Sequence, residues 1–121
     1  MVDRESRVVG YYTLSAYALQ GPDLPPALAR KLPRYPLIPA TFLGRLAIGL
    51  EHQGQKLGAL LLLDALNRSW KNADVVASVG VVAEAINETA RKFYLRHEFS
   101  QLGSHPGRVF LPMETIEKLF R

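Results

Sequence analysis

Residues 41–59 read TFLGRLAIGLEHQGQKLGA and place a strand, a glycine-containing turn and the start of a helix in direct succession. The part from Thr41 to Leu50 is apolar on both faces, which predicts a strand in the middle of a covered sheet. The apolar run that follows predicts a helix from Leu57 to about Lys71, packed against that sheet. The unpaired amides at the start of such a helix, with the helix dipole behind them, make a ready anion site.

A pyrophosphate is the natural occupant of the turn at residues 53–58. Gly54 and Gly58 permit close approach of the backbone, and Gln53 and Lys56 add polar donors and a positive charge. Taken alone, the same pattern also fits a plain strand-to-helix turn. It is neither a P-loop nor a dinucleotide-binding fingerprint, because GxxxxGK(S/T) and GxGxxG are both absent.

The remaining segments predict an α/β domain with a mixed sheet. Before the central stretch, we expect a strand at Val8–Leu14, with residues 15–20 trailing off it, and a short helix at Pro26–Leu32. After it, the expected elements are a strand at Ser78–Ala85, a helix capped by Asn87 that runs to about His97, strands at Phe99–Leu102 and Arg108–Leu111 around a turn at residues 103–107, and a helix at Pro112–Phe120. Residues 1–121 are expected to form a single domain or part of one.

Composition excludes several classes of site. The chain has no cysteine, which rules out disulfides, cysteine nucleophiles and thiolate metal sites. The three histidines (His52, His97 and His105) lack metal-ligand spacing, so no metal is predicted, and no local signature suggests a Ser-His-Asp hydrolase. The longest apolar run, Leu57–Leu63, is far below the roughly 20 residues that span a bilayer. A cytoplasmic protein is expected.

Positive charge is concentrated in one segment. Between Leu24 and Leu50 lie four basic residues and no acidic one, whereas the rest of the chain is balanced. The four are Arg30, Lys31, Arg34 and Arg45. Such a patch can attract RNA or the phosphates of a cofactor, and it can equally be an ordinary solvated loop.

Three segments together resemble a known family. GRLAI at residues 44–48, QGQKLG at residues 53–58 and LL at residues 60–61 are similar to the acetyl-coenzyme A motif Q/R-x-x-G-x-G/A of GNAT acetyltransferases, most of all those that act as toxins in bacterial toxin–antitoxin modules. Residues 8–15 resemble the strand that these toxins carry before a Pro-rich insert, and residues 87–99 resemble their late helix. The resemblance covers nearly the whole chain and implies a mixed central sheet flanked by helices.

The resemblance implies roles for individual residues. Backbone amides around Leu46, Ala47 and Ile48 would hold the acetyl thioester and the pantetheine arm. The pyrophosphate would be cradled by Gln53, Gly54, Lys56, Leu57, Gly58 and Ala59. Asn87 would contact the cofactor while capping its helix, and Tyr94 would donate a proton to the departing thiolate, which a phenol with a pKa near 10 can do at neutral pH.

Each role has a structural alternative. Tyr94 can simply pack beside Phe93, Asn87 can serve only as a helix cap, and Arg45 can be a solvated edge residue. No glutamate in the sequence is an evident general base.

The function that the resemblance implies is acetyl transfer from acetyl-coenzyme A to a primary amine, namely the α-amino group of an aminoacyl-tRNA. Arg30, Lys31, Arg34 and Arg45 would then face the tRNA backbone, and a small DNA-binding antitoxin would be the protein partner. The alternatives are acetylation of a small amine or a protein N-terminus, and a truncated, non-catalytic module that binds coenzyme A or a partner.

The sequence departs from the family pattern in four places. Lys56 stands where glycine is usual and Gly49 where these toxins commonly have aspartate, and residues 97–99 (HEF) replace the usual Gly-Phe. The family's first strand and helices normally precede Val8. We therefore expect an N-terminally short domain with an unpaired sheet edge, which favours a homodimer.

Overall fold

A computed structural model of the chain describes residues 10–19, 38–48, 57–73 and 78–120. For residues 45, 47 and 48 it describes the backbone alone. The elements are β1 (Gly10–Leu19), β2 (Ile38–Ile48), α1 (Leu57–Lys71), β3 (Gly80–Glu84), α2 (Glu88–Arg96), β4 (Ser100–Leu102), β5 (His105–Pro112) and α3 (Met113–Phe120). The expected α/β class is confirmed, while the short helix predicted at residues 26–32 lies outside the described residues.

The five described strands form one mixed sheet in the order β1-β2-β3-β5-β4. β2 and β3 are parallel, and α1 connects them as a crossover. The three other pairings are antiparallel. β1 and β4 are therefore the two edges of the described sheet, and the parallel pair lies inside it.

Alternating side chains of the central strands enter two separate hydrophobic clusters, because successive residues of a strand point to opposite faces. On one face, Leu43 and Val81 pack with residues from all three described helices. On the other face, Ala40, Val82 and Phe110 pack with residues of the remaining strands. β2 is therefore buried on both faces, as its apolar sequence predicts.

Helix α1 has the bounds that the sequence predicts. Its buried side chains are Leu61, Leu62, Ala65, Leu66 and Ser69. Leu60 and Leu63 point away from the sheet and are 53% and 44% exposed. Packing against the sheet is thus confirmed for one side of the helix. The other side is also apolar but stays exposed to solvent. None of the described helices is long and apolar enough to cross a membrane.

Strand β1 is longer than predicted, because it continues to Leu19 instead of ending at Leu14. Its second half pairs with the start of β2, where Leu19 lies opposite Ile38. Leu19 is also one of the most buried side chains of the second cluster. Strand pairing and burial therefore extend β1 beyond the residue at which the local sequence predicts that it ends.

The bounds of the later elements also differ from the prediction. β3 is Gly80–Glu84, shorter than the predicted 78–85. The turn of the hairpin is confined to residues 103–104, and residues 105–107 belong to β5. His105 pairs with Leu102, and the Gly107 carbonyl oxygen accepts a hydrogen bond from the Ala85 amide. Pro112 ends β5 opposite Gly80 and does not begin the last helix.

Candidate functional site

The parallel strands β2 and β3 run together for only part of their length. Their pairing ends at Leu43 opposite Ala83, whereas β2 continues to Ile48. On its other side β2 stays paired with β1 as far as Ile48. Within the described sheet, residues 44–48 therefore have a strand partner on one side only, and no described strand pairs with their edge toward β3.

A β-bulge lies at this point of β2. Tyr11 is opposite Ala47 and Thr13 is opposite Gly44, so that two residues of β2 face Tyr12 alone. A bulge bends its strand and increases the local twist, and this bulge comes directly after the last residues that pair β2 with β3. Gly44 fits this geometry, because a Cβ atom there would lie 2.8 Å from the Thr13 Oγ1 atom.

The first turn of α1 lies beside α2. A Cβ atom on Gly58 would be 3.5 Å from the Phe93 ring, which is ordinary van der Waals contact. The first turn holds no acidic residue, so its unpaired amides can receive an anion without repulsion. Leu57, Gly58 and Ala59 are placed there as predicted, while Gln53, Gly54 and Lys56 lie outside the described residues.

Asn87 caps α2, which confirms the predicted structural role. Its Oδ1 atom accepts a hydrogen bond from the Ala90 amide at 2.8 Å. Because Asn87 follows β3 closely, the cap sits at the end where β3 and β2 separate. The Arg91 Nε atom also donates to the Pro106 carbonyl oxygen at 3.0 Å, which holds the middle of α2 against β5.

The ring of Tyr94 is buried, with 6% of the residue exposed. It belongs to the same hydrophobic cluster as Leu43 and Ala83, the last residues that pair β2 with β3. Phe93 and Phe99 flank it, with ring centroids 5.4 and 5.1 Å away. The structure therefore places Tyr94 in the same hydrophobic cluster as the last paired residues of the two parallel strands.

A Schellman motif ends α2 and fixes Tyr94. The Phe99 amide donates to the Tyr94 carbonyl oxygen at 3.2 Å, and the Glu98 amide donates to the Leu95 carbonyl oxygen at 3.3 Å. The Tyr94–Phe99 ring contact supplies the hydrophobic pair that accompanies this motif. Glu98 occupies the left-handed position with φ of 71°, where the family pattern has glycine.

Burial raises the pKa of the Tyr94 phenol to about 12, above the value near 10 expected from the sequence. The phenol is therefore protonated throughout the neutral range. Every buried side-chain oxygen or nitrogen in the described part of the chain has a hydrogen-bond partner, and no hydrogen bond found there involves the Tyr94 hydroxyl.

Two of the three histidines are among the described residues. The His97 ring lies 4.8 Å from that of Phe93, and His105 is in β5. Among the described residues, no group of three histidine or acidic side chains is placed to hold a metal ion. Arg30, Lys31, Arg34, His52 and the side chain of Arg45 lie outside what the structure describes.

Sequence reasoning missed the bulge and the contact between α1 and α2. Gly44 inside an otherwise continuous apolar strand is a signal for a bulge, because glycine in a strand often marks one. No comparable signal in the sequence pairs Gly58 with Phe93.

No protein-family model matches the chain. The chain is 32% identical over 116 residues to a tRNA-acetylating toxin of Mycobacterium tuberculosis, covering 96% of this chain and 69% of the toxin.

Solved structures of toxins are also similar to the chain. A crystal structure of a tyrosine-to-phenylalanine variant of KacT has a TM-score of 0.89 and 38% identity, with 98% of this chain and 70% of KacT covered. AtaT complexed with acetyl-methionyl-tRNAfMet has a TM-score of 0.87 and 37% identity, with 98% of this chain and 71% of AtaT covered. These levels of identity and coverage confirm the resemblance stated from the motifs. By sequence and by structure, the chain belongs to the family of tRNA-acetylating GNAT toxins.

Proposed function

We propose that this chain transfers the acetyl group of acetyl-coenzyme A to the α-amino group of an aminoacyl-tRNA, as the toxin of a toxin–antitoxin module. The observation that carries the proposal is the end of the β2–β3 pairing at Leu43, with the phenol of Tyr94 in the same hydrophobic cluster as Leu43 and Ala83. Acetyl-coenzyme A supplies the activated acyl group as a thioester. The remaining steps are assigned to residues of the chain and to water.

The described residues fit acetyl-coenzyme A. The open edge of β2 offers backbone groups of Leu46, Ala47 and Ile48 to the amides of a pantetheine arm, as a neighbouring strand would. The first turn of α1 offers amides to the diphosphate. Asn87 at the start of α2 would contact the cofactor while its Oδ1 atom caps the helix.

Tyr94 is proposed to donate its proton to the departing sulfur. A thiol has a pKa of about 8.5 in water, so a phenol with a raised pKa is a weak donor toward a solvated thiolate. The desolvation that raises the pKa of Tyr94 would raise that of the thiol as well. A raised thiol pKa favours proton transfer from the phenol.

The attacking amine must be neutral. An α-amino group has a pKa of about 7.7–8.0, so a part of it is uncharged at neutral pH. We propose that water accepts the proton which the amine loses on attack. This route requires no carboxylate base from the chain.

The proposed partners follow those of the relatives. AtaT has been solved with acetyl-CoA and with the C-terminus of the antitoxin AtaR, and KacTA has been solved with DNA. We propose an antitoxin of the same kind for this chain, and a tRNA contact through Arg30, Lys31, Arg34 and Arg45. Residues 1–121 would act as a single acetyltransferase domain in the cytoplasm, and β1, an edge strand of the described sheet, would pair with a second copy to form a homodimer.

The test is transfer of labelled acetyl from acetyl-coenzyme A to total charged tRNA by the purified protein. Tyr94→Phe should lower kcat about 10²- to 10⁴-fold, since it removes a general acid without changing the ring. Tyr17→Phe is the matched control, because Tyr17 stacks on Phe42 on the other face of the sheet and should keep full activity. Unchanged turnover in Tyr94→Phe would show that the acid role is wrong.

A binding measurement separates the enzyme from a non-catalytic module. Acetyl-coenzyme A at about 100 times its dissociation constant should stabilise the fold by about 2.7 kcal/mol. Absence of a thermal shift would contradict the cofactor site. Turnover with a small amine or a protein N-terminus, but not with charged tRNA, would contradict the proposed acceptor.

A further inference from the structure

A cluster of three side chains joins β1 to α1 opposite the bulge of β2. The Tyr12 hydroxyl donates a hydrogen bond to the Asp64 Oδ2 atom. The Arg68 Nε atom lies 3.6 Å from the same oxygen, and the Arg68 guanidinium carbon lies 5.9 Å from the centroid of the Tyr12 ring. The Tyr12 ring packs against the hydrophobic cluster that contains Tyr94.

The position of Tyr12 in the sheet gives this cluster its importance. Tyr12 is the residue of β1 that faces the two bulged residues of β2. In this region, the described part of the sheet supports β2 from the β1 side alone, because pairing with β3 has already ended at Leu43. The position of β1 at Tyr12 therefore determines the position of the open edge of β2.

Asp64 lies on the helix whose first turn is the proposed diphosphate site. The hydrogen bond from Tyr12 thus links that helix to the strand pair that carries the open edge. The pantetheine arm and the diphosphate of a bound coenzyme A would lie on these two elements. Their separation must match the cofactor, since misplacement of about 1 Å is enough to weaken a site built on several contacts.

We propose that Tyr12 and Asp64 are positioning residues that set the spacing between the open edge of β2 and the first turn of α1, and thereby the affinity for coenzyme A. This inference rests on the proposed cofactor site. Neither residue touches the reacting atoms in this scheme. Arg68 plays a lesser part, because its ion pair with Asp64 is solvent-exposed and such pairs contribute little.

The test measures coenzyme A affinity by calorimetry, and KM and kcat in the charged-tRNA assay. Tyr12→Phe keeps the ring and loses the hydrogen bond, and we expect a coenzyme A dissociation constant and KM about three- to tenfold higher with kcat unchanged. Asp64→Ala should do the same. Asp64→Asn keeps an oxygen acceptor and should restore most of the affinity.

Tyr11→Phe is the matched control, since Tyr11 is the neighbouring, exposed tyrosine of the same strand and should bind coenzyme A as the parent does. Parent affinity in both Tyr12→Phe and Asp64→Ala would overturn the inference, as would a loss confined to kcat. If Tyr12→Phe does not fold, Asp64→Ala at its exposed helix position decides the outcome. Failure of the unmodified protein to bind coenzyme A would instead refute the proposed function itself.

Discussion

The parallel strands β2 and β3 are closed at one end and open at the other. At the closed end, the Val79 amide donates to the Pro39 carbonyl oxygen at 3.0 Å. The Thr41 hydroxyl donates to the Ser78 Oγ atom at 2.9 Å, and the Ser78 hydroxyl donates to the Gly80 carbonyl oxygen at 2.9 Å.

At the open end, β2 and β3 are no longer paired and side chains are exposed to solvent. Ile86, which follows β3, is 89% exposed. The neighbouring Asn87 uses its side chain to cap α2 and makes no bond to β2 among the described residues. The comparison indicates that the closed end holds the strands together so that the other end can stay apart. Substitutions at the closed end should therefore change stability, and those at the open end should mainly change binding and turnover.

The largest effect is expected at Gly80. A Cβ atom there would lie 2.5 Å from the Leu111 carbonyl oxygen and 2.6 Å from the Phe110 ring, so that Gly80→Ala forces the backbone of β5 to move. We expect a loss of about 3 kcal/mol in the free energy of unfolding, measured with denaturant. Gly58→Ala is the control, because its Cβ meets only ordinary contacts and it should keep or raise stability. Equal losses in both variants would contradict the distinction between the two ends.

The next effect is expected at Ser78. Ser78→Ala removes a buried hydroxyl that both accepts and donates a hydrogen bond, and should cost about 2 kcal/mol in the free energy of unfolding. In Ser78→Ala the Thr41 hydroxyl is left without its acceptor. Adding Thr41→Val removes that hydroxyl, so the double variant should lose less free energy of unfolding than the sum of the two single losses. Strict additivity in equilibrium unfolding would show that the two hydroxyls do not act together.

At the open end, Asn87→Ala should cost about 1 kcal/mol of stability through loss of the helix cap. It should also weaken coenzyme A binding. Asn87→Ser keeps an N-cap oxygen, so it separates the two roles: stability should return, while the affinity measured by calorimetry stays low. Full recovery of both quantities would mean that Asn87 serves only as a cap.

The smallest expected effect is a gain in stability. Glu98→Gly relieves the left-handed backbone at the end of α2 and should raise the free energy of unfolding by about 0.5–1 kcal/mol. Glu98→Ala removes the same carboxylate but keeps a Cβ atom, so it should show no such gain. Comparison of the two in thermal unfolding distinguishes backbone strain from loss of charge. Equal midpoints for the two variants would contradict the assignment to backbone strain.

Elements with strong local signals could be predicted from the sequence. α1 has the predicted bounds, and Asn87 caps α2 as its side-chain chemistry implies. The end of β1 could not be predicted, because Leu19 is held by pairing with Ile38 and by burial under distant residues.

From the sequence, the candidate site could be predicted only as residue types in a given order, without their arrangement in space. The opening at Leu43 is a property of the register between two strands that lie far apart in the sequence, so no local pattern reveals it. The raised pKa of Tyr94 likewise follows from burial by other elements. The link from Tyr12 to Asp64 joins two residues that each look like ordinary members of a strand and a helix.

The bulged end of β2 has a consequence for the dynamics of the protein. Amides at an open strand edge exchange with deuterium faster than paired ones, so residues 44–48 should show uneven protection, with paired and unpaired positions distinct. A pantetheine arm laid along that edge would complete the sheet in place of a sixth strand. Cofactor loading should then be visible as slowed exchange in this short segment and in the first turn of α1, before any acetyl group has moved.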